Sequence, residues 1–195
     1  MIAIGILFLC ILPQLSSSNY IRGVLARIII YATIASGLNI INGYSGQSCL
    51  GIVGFTCIGA YCSGILSTRF GLPFLACLGI TLAFCIVTGY IVSLPTLKLN
   101  GMFLSIITLG FSEMMRLLAL NWQSLTYGPI GLKGIPNITI FGMKIKSGAP
   151  FYYLALVVLL VVVFFLHRLL NSRVGRAWIS IREDQDAARS LGINV

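Results

Sequence analysis

FLACLGITLAFCIVTGYIVSL, residues Phe74 to Leu94, decides the fold. The run carries no charged residue. It is about 20 residues long, the length a helix needs to cross some 30 Å of hydrocarbon. Lipid offers a peptide group no hydrogen-bond partner, so a crossing segment must satisfy its own backbone as a helix or a closed barrel. The run is too continuous for the alternating pattern of a barrel strand. It therefore predicts a membrane helix, with Pro95 expected to stop it.

The rest of the chain repeats the message. Of its 195 residues, 58% are hydrophobic and only 9% charged, at a mean hydropathy of +1.00. A soluble domain needs more polar surface than that. Further apolar runs fall at Met1–Leu15, Val24–Ile41, a stretch ending at Ile65–Phe70, Met102–Leu120 and Phe151–Leu166. The fold class is all-α: a polytopic helical membrane protein of about six transmembrane helices. Residues 1–168 form the membrane domain and residues 169–195 a cytoplasmic segment. Met1–Leu15 reads as a first span, with a signal peptide as the alternative. No Lys or Arg precedes the run, which argues against a signal.

The net charge of +9 does not point to nucleic acid, because no soluble basic domain is there to present a phosphate-binding face. In a membrane protein, basic excess reflects loop orientation. Cys10, Cys49, Cys57, Cys62, Cys77 and Cys85 form no CxxC pair, and His167 stands alone. They read as small apolar fillers, not metal ligands or disulfides. No base–nucleophile set and no Walker motif is present, so the chain reads as neither an enzyme nor an ATP-binding domain.

Two membrane stretches break the apolar pattern. In Val24–Ile41, Arg27 is expected near the start, where it would snorkel to the interface. Ala32, Ser36 and Asn39 share a face suited to close packing with a side-chain hydrogen bond. Next comes NGYSGQSCLGIVGFTCIGAY, Asn42 to Tyr61, punctuated by Gly43, Gly46, Gly51, Gly54 and Gly59. It reads either as a plain loop before a Gly-rich packing helix or as a broken helix at membrane depth. A broken helix there would line a substrate path. On that reading Asn39, Gly43, Gly46, Gln47 and Gly51 are candidate path residues.

Met102–Leu120 carries Gly101, Ser105, Thr108, Ser112 and Arg116 at helical spacing, a polar stripe on one face. Glu113 lies within ion-pair reach of Arg116. Charges at the bilayer centre cost about 2.5–3.5 kcal/mol each, so they are expected to face the bundle or to sit near the interface. The stripe reads as an interhelical hydrogen-bond seam or as the lining of a permeation path. The second reading adds Ser105, Thr108, Ser112, Glu113 and Arg116 to the path candidates. A rival reading is an ion-coupled secondary transporter or channel with Glu113 and Arg116 as its relay. Asn121 to Pro150 reads as a long polar loop, with Trp122 and Tyr127 at the interface.

The segment Arg173 to Val195, RVGRAWISIREDQDAARSLGINV, holds three of the chain's four acids. Ser180 is expected to cap a short helix, with Glu183 closing a capping box and Gly192 supplying a left-handed stop. Ile181, Ala188 and Leu191 fall on one face, with Ala187 beside it. The segment reads as a docking helix for a partner protein or as a solvated basic tail marking the inner side. Its basic residues place the C-terminal side in the cytoplasm, although Lys133, Lys144 and Lys146 then lie outside.

Asp186-Ala187-Ala188 followed at a distance by Gly192 resembles the EAA---G loop of ABC-importer permeases, with Asp in place of Glu. The wider string Gly175-Arg176-Ala177-Trp178, Ile181-Arg182-Glu183-Asp184 and Leu191-Gly192-Ile193-Asn194 is similar to the version in branched-chain amino acid permeases, a family that includes urea-type importers. Gly43 to Tyr61 resembles that family's GYxGQxSLGxxxFxxIGAY, with Cys49 for Ser and Ile52 for His. Thr108-Leu109-Gly110-Phe111, Glu113 and Arg116-Leu117 are similar too. So is Tyr127 to Pro136, which resembles GGPNGLxGIP on the outer face. The resemblance implies a cell-membrane permease subunit of an ATP-driven importer working by alternating access. It implies as partners ABC ATPase subunits that carry ATP and Mg, a second permease subunit and an extracytoplasmic substrate-binding protein. It implies ATPase coupling through Ser180, Arg182, Glu183, Asp186, Ala187, Ala188 and Gly192. Members of that family continue through further spans beyond this loop, so a partial permease domain is expected.

Overall fold

The computed structural model describes Pro13 and residues 18–96, 101–140, 143–145 and 148–193. The span expected at Met1–Leu15 thus lies outside the described residues, Pro13 apart. Helices dominate: α1 (Asn19–Asn39), continued by a π turn (Ile40–Tyr44), α2 (Ile52–Arg69), α3 (Phe74–Thr96), α4 (Met102–Asn121), α5 (Gln123–Thr126), α6 (Ala149–Leu170), α7 (Arg173–Glu183) and α8 (Gln185–Ser190). Four of them are long and apolar enough to cross a membrane: Asn19–Tyr44, Phe74–Thr96, Met102–Asn121 and Ala149–Leu170. The chain is a polytopic helical membrane protein. The third expected span forms a helix, α2, of 18 residues with Gly54, Gly59 and Gly64, but it is not among these four.

The chain divides into two compact units, residues 1–46 with 145–195 and residues 47–144. In the first, α1 lies along α6, and Ala26 and Ile29 pack on Tyr152 and Leu156 as its buried core. The small Ala26 leaves room for the Tyr152 ring, which is only 1% exposed. The two helices run in the same direction, since Asn19 approaches Gly148 at their starts. The segment 169–195 belongs with this unit.

In the second unit α2 packs against both α3 and α4. Phe55 and Phe111 meet with ring centroids 5.1 Å apart. Gly54 makes the approach close: a Cβ there would stand 2.8 Å from the Phe111 ring and 3.1 Å from Ser112 Cα. Small residues at helix contacts are how membrane helices gain packing when lipid supplies no hydrophobic drive.

Several local expectations are corrected. α3 does not stop before Pro95 but carries it in its last turn. There Pro95 forfeits one donor of the ladder and the helix ends one residue later, with Thr96 Oγ1 donating back to the Ser93 carbonyl at 2.9 Å. Arg27 lies well inside α1, because the helix begins at Asn19 and not near Val24. Ser36 Oγ bonds the Ala32 carbonyl of its own helix at 2.8 Å and, among the described residues, reaches no neighbouring helix. The stretch 121–150 is no simple loop. It holds α5, a 3-10 turn at Gly128–Ile130 and a two-stranded ribbon of β1 (Ile138–Ile140) and β2 (Met143–Ile145). Thr126, buried, donates to the Ala119 carbonyl at 2.7 Å and accepts from Gly128 N–H. This folds the chain tightly enough to hold Tyr127 at φ 61°.

The Gly54 contact makes a direct prediction. Gly54→Leu should lower the thermal midpoint of the detergent-purified protein, an overpacking cost of about 1–3 kcal/mol. Gly59→Ala, on the same helix but with nothing within 4 Å, should leave the midpoint unchanged.

Candidate functional site

The break after α1 is the first candidate site. Its helical ladder loosens into the π turn, where Ser45 N–H reaches the Ile40 carbonyl at 3.0 Å. From there to Gly51 the backbone is irregular. Such backbone inside a membrane needs outside partners, and α4 supplies them on the side of the second unit. Ser105 Oγ donates to the Ser48 carbonyl at 2.9 Å. Thr108 Oγ1 accepts from Leu50 N–H at 3.0 Å. Ser112 Oγ donates to the Leu50 carbonyl at 3.1 Å and accepts from Gly54 N–H at 3.3 Å. Gly51 allows the approach, since a Cβ there would stand 3.3 Å from Thr108 Cβ.

These bonds place the polar stripe of α4. Ser105, Thr108 and Ser112 turn inward as a seam, their hydroxyls bound to the backbone of the break. Arg116 does not continue the stripe. With Glu113 it forms a bidentate pair on the exposed side of α4, Nε to Oε2 at 2.9 Å and Nη2 to Oε1 at 2.5 Å. Both side chains are more than half exposed. The expectation that these charges face the bundle is therefore corrected for the described residues. Each charge is answered by the other three residues along, which lets the pair stay outside.

The remaining candidates of the break fall in the first unit, apart from Gln47. Asn39 stands over Gly43, where a Cβ would lie 2.3 Å from Asn39 Oδ1. Gly46 takes φ 68°. Gln47 is exposed and opens the second unit. Within that unit, between the end of α2, the start of α3 and residues 135–139, lies a cavity of about 450 Å³. Its polar groups are those of Ser63, Ser67, Cys77, Asn137 and Thr139, suited to neutral hydrogen bonding and not to holding an ion.

The second candidate site is the segment after α6. It is two helices and not one. Ser172, not Ser180, caps α7, its Oγ accepting from Gly175 N–H at 3.4 Å. Gly175 fits a turn so tight that a Cβ there would stand 2.3 Å from the Leu170 carbonyl oxygen. Ser180 is interior to α7 and bonds the Arg176 carbonyl at 2.9 Å. Glu183 ends α7 and closes no capping box. Asp184 is the second cap, accepting from Asp186 N–H at 2.8 Å and Ala187 N–H at 3.0 Å. A carboxylate at this end and Arg189 at the other suit the short helix α8.

α8 closes as expected at Gly192, φ 78°. Gly192 N–H reaches the Arg189 carbonyl and Ile193 N–H the Ala188 carbonyl, at 3.0 and 3.1 Å, the paired bonds of a Schellman stop. The single apolar face is corrected. Ala188 is buried, whereas Leu191 is 78% exposed beside exposed Asp186 and Ala187. The kink at Asp184 rotates α8 relative to α7, so one helical period does not run through both. Arg182 turns back onto α1, its Nη1 donating to the Gly43 carbonyl at 2.7 Å.

The sequence reading missed the caps Ser172 and Asp184, the outward exposure of Leu191 and the Arg182 contact. Asp184 ahead of Asp186-Ala187-Ala188 was a legible cap, outcompeted by the Ser180–Glu183 box. The Arg182 contact spans 139 positions and leaves no local mark.

The family described as "Branched-chain amino acid transport system / permease component" matches residues 20–195. The chain is 36% identical to the high-affinity branched-chain amino acid transport system permease protein LivM of Escherichia coli, over 85% of this chain and 44% of that protein. It is 35% identical to the Salmonella typhimurium protein of the same name, with the same coverage. It is 29% identical to a probable branched-chain amino acid transport permease protein LivM of Methanocaldococcus jannaschii, over 56% of this chain and 31% of that one. The chain thus spans less than half the length of the curated relatives it matches. No solved structure matches it.

Two predictions follow the geometry. Thr108→Val or Ser112→Ala removes a partner of the Leu50 backbone and should lower the unfolding free energy by about 1–3 kcal/mol each, read as a lower thermal midpoint. Thr108→Ser should keep it. Asp184→Ala should loosen α8 by about 1 kcal/mol and speed tryptic cleavage after Arg189, while Asp184→Asn should not.

Proposed function

This chain belongs to the family of permease components of branched-chain amino acid transport systems, and from that premise we propose that it builds part of the membrane path of an ATP-driven importer for branched-chain or related amino acids. The reaction is vectorial transfer, driven by ATP and Mg held in separate ATPase subunits. A second permease subunit completes the path, and an extracytoplasmic binding protein delivers substrate. The assembly sits in the cell membrane, with α7 and α8 in the cytoplasm. The path runs along the broken segment: Asn39, Gly43, Gly46, Gln47 and Gly51, backed by the hydroxyls of Ser105, Thr108 and Ser112, with Glu113 and Arg116 farther along α4.

One observation carries the coupling role. After a capped, tightly turned exit from α6, the chain presents α8 with Asp186, Ala187 and Leu191 outward and closes it with a Schellman stop. A solvated tail needs neither two caps nor an exposed leucine. Small Ala187 allows close approach, and Leu191 gives a partner cleft something apolar to cover. Burying one leucine is worth about 1.5–3 kcal/mol, so it suits a reversible grip. Asp186, Ala187, Leu191 and Gly192 form the docking edge in this reading. Buried Ala188 and the interior Ser180 shape it from behind, with Arg182 and Glu183 at the end of α7.

Substitution of the docking edge tests the reading. In the whole permease complex, Leu191→Asp should reduce co-purification of the ATPase subunit at least about tenfold and abolish uptake. Normal association and uptake in this variant, and in Ala187→Glu, would overturn it.

A further inference from the structure

The coupling segment and the broken end of α1 meet at one residue. The last carbonyls of α1 look beyond their own ladder, as carbonyls at any helix end do. Arg182 Nη1 donates to one of them, Gly43, at 2.7 Å. This sets a cation at the negative end of the helix. The approach is close along the arginine stem. A Cβ at Gly46 would stand 2.7 Å from Arg182 Cγ, 3.2 Å from Arg182 Cβ and 3.4 Å from Arg182 Cα. Gly46 also holds φ 68°, so the position suits glycine on two counts. The other neighbour of Arg182, Glu183, lies 3.8 Å away with both side chains exposed, a contact worth little.

The placement matters because α7 is also fixed at its other end. Asn171 and Ser172 join it to α6 in a turn that Gly175 keeps tight. Arg182 sits about 14 Å along α7 from Arg173. A rod held at one end swivels when its far end is pulled. A rod held at both ends hands the displacement to both anchors. The second anchor is the segment Gly43–Gly46, where the chain leaves the first unit for the second.

We propose that Arg182 is a positioning residue that pins α7 to the broken end of α1, so that a pull on α7–α8 moves the Gly43–Gly46 break instead of swivelling about Asn171–Ser172. The inference rests on the reading of α8 as the ATPase-docking edge. It adds how the pull reaches the membrane: Arg182 reaches back to Gly43 as the link, and the outward residues of α8 hold the partner.

The test uses the complete permease with its ATPase and binding protein in proteoliposomes, with uptake and ATP hydrolysis measured together. Arg182→Ala should lower the amount taken up per ATP hydrolysed about tenfold, the loss of one charge-assisted hydrogen bond. Arg182→Lys, which keeps a donor, should recover more than half of the ratio. Gly46→Ala, which pushes the arginine away, should fall as Arg182→Ala does. A pair of Gly46→Cys and Arg182→Cys brings two Cβ atoms near disulfide distance; it should regain the ratio when oxidised and lose it when reduced. An unchanged ratio in Arg182→Ala, or uptake and hydrolysis falling in proportion with no rescue by lysine or by the disulfide, overturns the proposal. If the ATPase fails to bind the wild-type permease, the docking reading falls and this inference with it. If it binds and the ratio is unchanged, only the link falls.

Discussion

A peptide group that leaves its helix needs a partner elsewhere, and this chain runs irregular between the π turn and α2. The interruption is tolerable because Ser105, Thr108 and Ser112 of α4 lend their hydroxyls to the backbone at Ser48, Leu50 and Gly54. Each hydroxyl lies one or two turns from the next, so one helix face serves one irregular strand of chain. Glycines at 51 and 54 let that strand come near enough. Without the seam the irregular backbone would lose these partners, and the segment would be driven either into a helix or out to water. The path proposed for the substrate depends on neither happening.

The same economy governs the first unit. α1 ends in a π turn whose carbonyls need donors, and one comes from an arginine on the cytoplasmic segment. Ser45 Oγ supplies a further one, to the Ile41 carbonyl at 2.6 Å. Within the first unit the start of the break is thus held by polar groups aimed at backbone. Hydrogen bonds can be exchanged one at a time, whereas a packed apolar core resists small displacement. That difference suits a segment asked to move during transport.

Much of this was legible in the sequence. Length and apolarity of Phe74–Leu94 marked a span without ambiguity, because the hydrocarbon thickness leaves few alternatives. The Gly-rich stretch and the stripe at Ser105, Thr108 and Ser112 were each visible. Their mutual bonding was not, since it joins residues 57 to 62 positions apart. Arg116 was read into the stripe because helical spacing allows it. The same spacing put Glu113 within reach of Arg116, and the pair forms, but spacing alone does not say that it sits on the exposed side of α4. In the last segment two caps compete, and the Ser180–Glu183 box looked the stronger on local pattern. Asp184 prevails in the fold because its carboxylate caps two N–H groups at the start of α8, while Ser180 remains inside α7. Leu191 was grouped on one face with Ile181 and Ala188 by continuing one helical period through a kink.

The most direct measurement is amide hydrogen exchange of the whole permease in lipid nanodiscs, resolved at Leu50 and Gly54. Partnered by Thr108 and Ser112, these two amides should exchange as slowly as those inside α2 and α4. Exchange as fast as that of residues 131–137 would mean that α4 does not hold the broken backbone, and the account would not stand.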